Sequence, residues 1–309
     1  RFIRLVFLTT VTFELAGAAL SFLVFRKSFP PLKAAGVSLF HSVASFNNSG
    51  FDILGGGQNL IPYQDDILLN LVTCALVIFG GIGFLVIREV IAKRFRWKKL
   101  SMHAKVVLFM SLVLTAAGTV LLKLTEDITW MGAFFTSVSA RTAGFSTFPL
   151  GSFSGAGLLT VIVLMVIGAS PGSTGGGIKT TTAFVLFQGI KSSATNTSEK
   201  AFRYAVPADA FRKAAVITLL AIGIVLSGTY ILVILEPGVP FLDALFEMSS
   251  AFGTAGLSTG ISAGLCDAAK ILTILIMFIG RLGPLTIASL WYFTKGERVS
   301  YPEGNIAIG

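Results

Sequence analysis

The sequence predicts an all-α polytopic membrane protein assembled from parallel repeats, and three observations carry that prediction. Apolar stretches of 18 or more residues recur along the chain, the length that lets a helix cross a bilayer. Hydrophobic residues make up 54% of the 309 residues and charged ones 13%, roughly half the charge of a soluble domain; the mean hydropathy is +0.82. The third observation is a pattern written three times. It reads Ser45-Phe46-Asn47-Asn48-Ser49-Gly50-Phe51, then Ser139-Ala140-Arg141-Thr142-Ala143-Gly144-Phe145, then Ala251-Phe252-Gly253-Thr254-Ala255-Gly256-Leu257. Each copy sets small or polar residues before one glycine and a bulky apolar residue after it.

Residues 5–25 form the first span, with one acid at Glu14. An acid at that depth faces protein or water rather than lipid, for helix packing or for ion transit. Arg26, Lys27 and the Pro30-Pro31 pair close the span. Leu32 to Phe46 is too short to cross, which takes about 20 helical residues. It reads as a re-entrant half-helix whose C-terminal dipole end points negative charge at the first glycine motif. Residues 66–88 return through the membrane and stop at a basic block of Arg88, Lys93, Arg94, Arg96, Lys98 and Lys99. The second round has a span at 106–124, a half-helix from Ile128 to Ala140, the motif at 141–145 and a return segment at 155–190. The third has a span at 214–235, a half-helix at 241–252, the motif at 253–257 and a return span at 268–294. The repeats divide the chain at 1–93, 94–200 and 201–309.

Glycine lets the backbone adopt conformations other residues avoid, so that successive carbonyls can turn to one side. Rings of such carbonyls can replace the water shell of a cation. The motifs are therefore expected to be segments of one selectivity filter. Each unit is then a span, a re-entrant pore half-helix, a filter and a return span around a central ion pore. The filter candidates are Asn48, Ser49, Gly50 and Phe51; Thr142, Ala143, Gly144 and Phe145; and Thr254, Ala255, Gly256 and Leu257. Glycine also interrupts each return span: Gly144 and Gly168 are 24 apart, as are Gly256 and Gly280, while Gly50 and Gly80 are 30 apart. Close helix packing accounts for glycine in the first copy; the other two add Pro, Arg and polar residues that packing does not require.

The middle return segment carries a surplus. Gly168-Ala169-Ser170-Pro171-Gly172-Ser173-Thr174-Gly175-Gly176-Gly177-Ile178-Lys179 cannot hold a helix. Unpaired backbone in a membrane is tolerated only against protein or a water-filled cavity, which a cavity below the filter would supply. The loop is the candidate gate, through Gly168, Ser170, Gly172, Ser173, Thr174, Gly175, Gly176, Gly177 and Lys179. Arg281 lies at the matching depth in the third return span. Its partner is either the loop's free carbonyls or one of the acids Glu14 and Glu247.

At these residues the chain resembles the Trk/Ktr/HKT superfamily of potassium transporters, most closely the bacterial KtrB membrane subunits. The resemblance runs over essentially the whole chain. It rests on Phe46 to Phe51, Arg141 to Phe145, Gly177-Ile178-Lys179, Ser250 to Leu257 and Ile279-Gly280-Arg281-Leu282-Gly283-Pro284-Leu285-Thr286. It implies four units around one pore, with filter glycines here at Gly50, Gly144 and Gly256, the loop as intramembrane gate and Arg281 beside it. It implies K+ transport with Na+ dependence left open; because the first filter position can be serine in plant relatives, a Na+-conducting member of the same superfamily is an alternative. A membrane homodimer supported by a tail such as Tyr301 to Gly309 is a further implication. So is a cytosolic KtrA-like regulatory ring, with ATP or ADP on that partner alone. Three units stand where the family has four. With Arg1 in place of Met, the chain reads as the C-terminal part of something longer, its first family repeat absent.

Other classes fit poorly. The net charge of +9 sits in the segments between units rather than on a nucleic-acid-binding face. Gly172 to Gly177 lacks the lysine that a phosphate-binding loop needs immediately after its second glycine. With only His41 and His103, an enzymatic metal site or nucleophile–base pair has no basis, and no cofactor is expected on the chain. Cys74 and Cys266 read as packing residues without a disulfide. An alternating-access cation symporter is the competing transporter class, but it commonly uses inverted repeats.

Positive charge sets the sidedness. Lys and Arg number 7 in residues 88–105 and 5 in 191–213, whereas Asp52, Asp65, Asp66 and Asp267 lie on the filter side. The positive-inside bias places the joining segments in the cytoplasm of a multi-pass cell-membrane protein, filters outward. A cysteine at Lys98 should then need a membrane-permeant thiol reagent in whole cells, and one at Gly55 should not. The reverse labelling pattern would overturn the topology.

Overall fold

The computed structural model describes residues 2–197, 200–207, 209–283 and Thr286. It is helical apart from one two-stranded hairpin, Lys200–Ala201 with Tyr204–Ala205, which the sequence reading did not anticipate. The first group of helices is α1 (Phe2–Phe25), α2 (Pro31–Phe46), α3 (Ile67–Ile82) and α4 (Phe84–Ala92). The second is α5 (Met102–Thr125), α6 (Trp130–Ala140), α7 (Gly155–Val166) and α8 (Thr180–Thr195). The third is α9 (Ala210–Leu235), α10 (Phe241–Gly253) and α11 (Asp267–Leu282). The rest of the expected third return span, apart from Thr286, and the tail Tyr301 to Gly309 lie outside the described residues.

Start signals explain where several helices begin. Pro31 opens α2, and the side chains of Asp66, Ser101, Thr129 and Ser154 accept an amide hydrogen in the first turns of α3, α5, α6 and α7. Each such cap satisfies a donor that has no partner in its own helix. Acids at the ends of two spans reinforce the caps. The Glu126 carboxylate accepts from the Ser154 amide (3.1 Å), and Glu236 accepts from the Cys266 amide, which holds its carboxyl below the usual carboxylate range. Cys74 is buried as expected, but Cys266 is exposed. Its place at the start of α11 leaves it outside the packed interior.

Among the described residues three helices are long and apolar enough to cross a membrane, within α1, α5 and α9, or four if the bent pair α3–α4 counts as one span. The sequence had suggested a single return span at 66–88. Instead α3 stops at Gly83, which adopts φ 96° and ψ 140°, and α4 leaves at 97°. That backbone conformation is open to glycine and closed to other residues.

The half-helices α2, α6 and α10 are wedged between the spans. A small residue on the span admits a serine of the half-helix: a Cβ on Gly17 would fall 2.4 Å from Ser42 Oγ, and one on Gly118 would fall 2.4 Å from Ser137 Oγ. Those serines donate to the Glu14 and Thr115 carbonyls (2.6 and 2.9 Å). Glu14 itself accepts from Asn47 Nδ2 (2.9 Å), so it ties α1 to α2. The return helices approach as closely. A Cβ on Gly80 would fall 2.0 Å from the Phe46 carbonyl oxygen, and one on Gly280 would fall 1.9 Å from that of Phe252. Close packing therefore explains the glycine of the third copy as well as the first.

This contact supplies a stability test. Gly280→Ala should destabilise the protein by roughly 1–3 kcal/mol, the usual range for overpacking. Gly36→Ala has nothing within 4 Å of the added methyl and should stabilise α2 by roughly 0.5–1 kcal/mol. Thermal unfolding of the two variants side by side checks the pair. Equal melting temperatures would contradict the tight return-helix contact.

Candidate ion pore

The C-terminal ends of α2, α6 and α10 lead into the three glycine motifs, and these meet. A Cβ on Gly144 would lie 3.1 Å from the Gly50 Cα and 3.4 Å from the Gly256 Cα. Gly144 thus stands between the other two.

The motifs also share a backbone code. Positive φ occurs at Asn48 (51°) and Gly50 (69°), at Thr142 (77°) and Gly144 (84°), and at Thr254 (50°) and Gly256 (79°). The sequence placed all six residues in the motifs but signalled an unusual backbone only at the glycines. Two of those are threonines, for which a left-handed conformation is a true outlier. What holds them is the residue that follows. The amides of Ser49, Ala143 and Ala255 turn back to the carbonyls of Ala44, Ser139 and Ser250 (3.0, 2.9 and 2.9 Å). A trans peptide points its C=O opposite to its N–H, so the carbonyls of Asn48, Thr142 and Thr254 are aimed away from the half-helices. No donor among the described residues reaches them. The three half-helix C-termini add their negative dipole ends to the same place.

The residue after each glycine is less uniform than the motif implies. Phe145 and Leu257 are buried in the core, whereas Phe51 is exposed. Support comes from residues the motif did not flag. Asn59 Nδ2 donates to the Gly144 carbonyl (3.3 Å), while its Oδ1 accepts from the Leu60 amide (2.9 Å). His41 is buried behind the second motif, bonded to Thr73 Oγ1 (2.8 Å) and edge-on to the Phe145 ring. Glu247 accepts from the hydroxyls of Ser258 and Ser262, pinning the strand that leaves the third motif. The Arg141 guanidinium turns away to Ser111 and Thr115 of α5. These contacts join residues up to 104 apart in sequence, His41 with Phe145, and local pattern does not reveal them. An open cleft of ≈ 400 Å³, lined by Asn59, Ser146 and Ser258 among others and, among the described residues, by no charged side chain, leads to Gly144 and Gly256 from the side opposite the glycine loop.

On the opposite side the glycine loop at 167–179 separates α7 from α8, as its composition demands. Three successive loop residues sit under the three motifs. Thr174 Oγ1 lies 3.2 Å from the amide oxygen of Asn48, in the orientation that also lets Asn48 donate to the Ser45 and Val77 carbonyls. A Cβ on Gly175 would fall 2.1 Å from Thr142 Oγ1, and one on Gly176 would fall 2.4 Å from Thr254 Oγ1. Gly168 packs against Gly176 and Thr142, and Gly177 takes φ 69°. The loop is further stitched by Ser170 Oγ to Thr180 Oγ1 (2.9 Å), by Ser173 Oγ to the Ser170 carbonyl (2.6 Å) and by the Phe84 amide to Gly172 (3.3 Å). Lys179 Nζ donates to the Gly175 carbonyl (2.8 Å), and the Arg281 guanidinium donates to the Thr174 carbonyl. Glu14 and Glu247 are engaged elsewhere, so the loop is the arginine's partner.

Residues 1–126 and 100–294 match the TrkH family, described as cation transport protein. The chain belongs to that family. The Ktr system potassium uptake protein B of Bacillus subtilis is 34% identical over 99% of this chain and 71% of its own length. The protein of the same description from Vibrio alginolyticus is 34% identical over 97% and 69%. The potassium/sodium uptake protein NtpJ of Enterococcus hirae is 33% identical over 97% and 70%. The crystal structure of the potassium transporter TrkH from Vibrio parahaemolyticus shares the fold, with a TM-score of 0.74 at 19% identity, over 91% of this chain and 62% of that one. These TrkH-family relatives are membrane transporters rather than enzymes, and the chain is a multi-pass membrane protein of the same all-α build.

Proposed function

We propose that this chain forms the pore of a K+ uptake system, with three pore-forming repeats at 1–93, 94–200 and 201–309. In this reading Asn48 to Phe51, Thr142 to Phe145 and Thr254 to Leu257 are the filter, open to the outside, and 168–179 with Arg281 is the gate. The observation that carries it is the set of donor-free carbonyls at Asn48, Thr142 and Thr254. A bare carbonyl in an apolar setting is costly, and a dehydrated cation is the partner that fits three of them. Relatives named for potassium uptake support K+ as the ion. The relative named for potassium and sodium favours a second reading, in which Na+ is also conducted or coupled. The relatives' Ktr systems support a cytosolic KtrA-like ring as partner, with ATP or ADP bound there, and a homodimer in the bilayer completes the proposed assembly.

Gly144 is central to the filter and has φ 84°. Gly144→Ser in the full-length protein should lower the preference for K+ over Na+ in vesicle uptake. Unchanged competition between the two ions would sink the filter assignment.

The gate gives a separate test. Lys179 and Arg281 place two positive charges on adjacent loop carbonyls directly beneath the filter, a barrier to a passing cation. Deleting Gly172 to Gly176, or changing Arg281→Ala, should raise basal K+ flux and weaken control by the regulatory subunit. Basal flux at the parent level in both, with expression and selectivity intact, would move the gate elsewhere.

A further inference from the structure

The turn between α4 and α5 and the hairpin at 200–205 enclose an open cleft of ≈ 600 Å³ that the pore does not use. Among the described residues its lining is Trp97, Lys98, Lys105, Phe202, Arg203 and Tyr204, three cations and three aromatics with no acid. Lys105 is 7% exposed. Its ammonium faces the Tyr204 ring at 5.6 Å, and among the described residues it has no carboxylate partner. A lysine this buried is normally paired. The cleft is held open by packing: Phe202 stacks on Phe184 and meets Trp97 and Phe109 edge-on. Phe202 and Arg203 themselves take positive φ, so the hairpin turn presents the arginine in a fixed way.

We propose that this cleft binds the phosphate of an anionic phospholipid headgroup. The shared chemistry is a phosphoryl group met by Lys98, Lys105 and Arg203. Position favours a lipid over a soluble phosphate. Lys105 lies one turn inside the start of α5 at Met102, a helix long and apolar enough to cross the membrane, so the cleft sits at the bilayer boundary. Trp97 and Tyr204 are the residues that favour that depth, and Phe109, which touches Phe202, is 42% exposed beside the cleft where an acyl chain would run. The inference does not depend on what the pore conducts.

Trp97 supplies the reporter. The full-length protein is placed in bilayers containing brominated phosphatidylglycerol or brominated phosphatidylcholine, and quenching is compared with that of a Trp97→Phe variant. Phosphatidylglycerol should quench Trp97 at the lower mole fraction. Lys98→Gln, Lys105→Gln and Arg203→Gln should each weaken that preference roughly fivefold, the value of one charge at an anionic surface. Lys98 and Arg203 are exposed, so their variants keep the test independent of any folding defect at Lys105. Equal quenching by both lipids, or no change in the three variants, would overturn the site. Relief of quenching by inorganic phosphate alone, with the two lipids indistinguishable, would overturn the lipid assignment in favour of a soluble phosphate.

Discussion

A backbone carbonyl in an apolar interior needs a donor or a cation, and the build of this protein follows from where such carbonyls are left. The half-helices end short, and the chain beyond them turns its amides back on the last helical turn. That single choice satisfies the helix ends and turns the next carbonyls away from the half-helices. The left-handed residues at Asn48, Thr142 and Thr254 are the cost, of order 1–3 kcal/mol each. Strain of that size persists only where the surroundings over-determine it. Here Asn59, Glu247 and the buried half-helices provide the determination.

The same rule governs the loop on the other side. A stretch with this much glycine exposes carbonyls that a helix would have used. The structure meets them with Lys179, Arg281 and the Ala169 amide, and ties the loop's own amides to Gly80 and Gly81 of α3. The loop is a stitched element, bonded to α3, α8 and α11. What remains adjustable is the pair of cations, whose removal frees two carbonyls at once.

Much of this was legible in the sequence because repetition amplifies weak signals. One glycine in an apolar chain says little; three in equivalent settings, each after a segment too short to cross, specify half-helices and a meeting point. The break after Val166 was legible from composition, and the Arg281 contact from matching depth. The left-handed Thr142 and Thr254 were not legible, because threonine ordinarily avoids that conformation and only tertiary contacts impose it. The bend at Gly83 was hidden inside a continuous apolar run. The exposed Cys266 looked like packing because it lies beside an apolar run. The supports at Asn59, His41 and Glu247 depend on contacts between distant segments, to which local pattern is blind.

The three units share a packing plan, and a departure in the second explains the place of the loop. In the first and third, a return-helix glycine sits on the carbonyl that ends the half-helix, Gly80 on Phe46 and Gly280 on Phe252. In the second, the glycine at the spacing of the third copy, Gly168, faces Gly176 of the loop and the methyl of Thr142 instead. The loop has taken the space next to the half-helix end, and so lies against all three motifs. Its sequence then follows from what each motif presents. Asn48 offers an amide oxygen, and the residue beneath it is Thr174, which can donate. Thr142 and Thr254 offer side chains that fill the space, and the residues beneath them are Gly175 and Gly176, where any Cβ would collide. A run of glycines there is thus a matter of fit as much as flexibility: it is the shape that lets one loop close against three unequal segments at once.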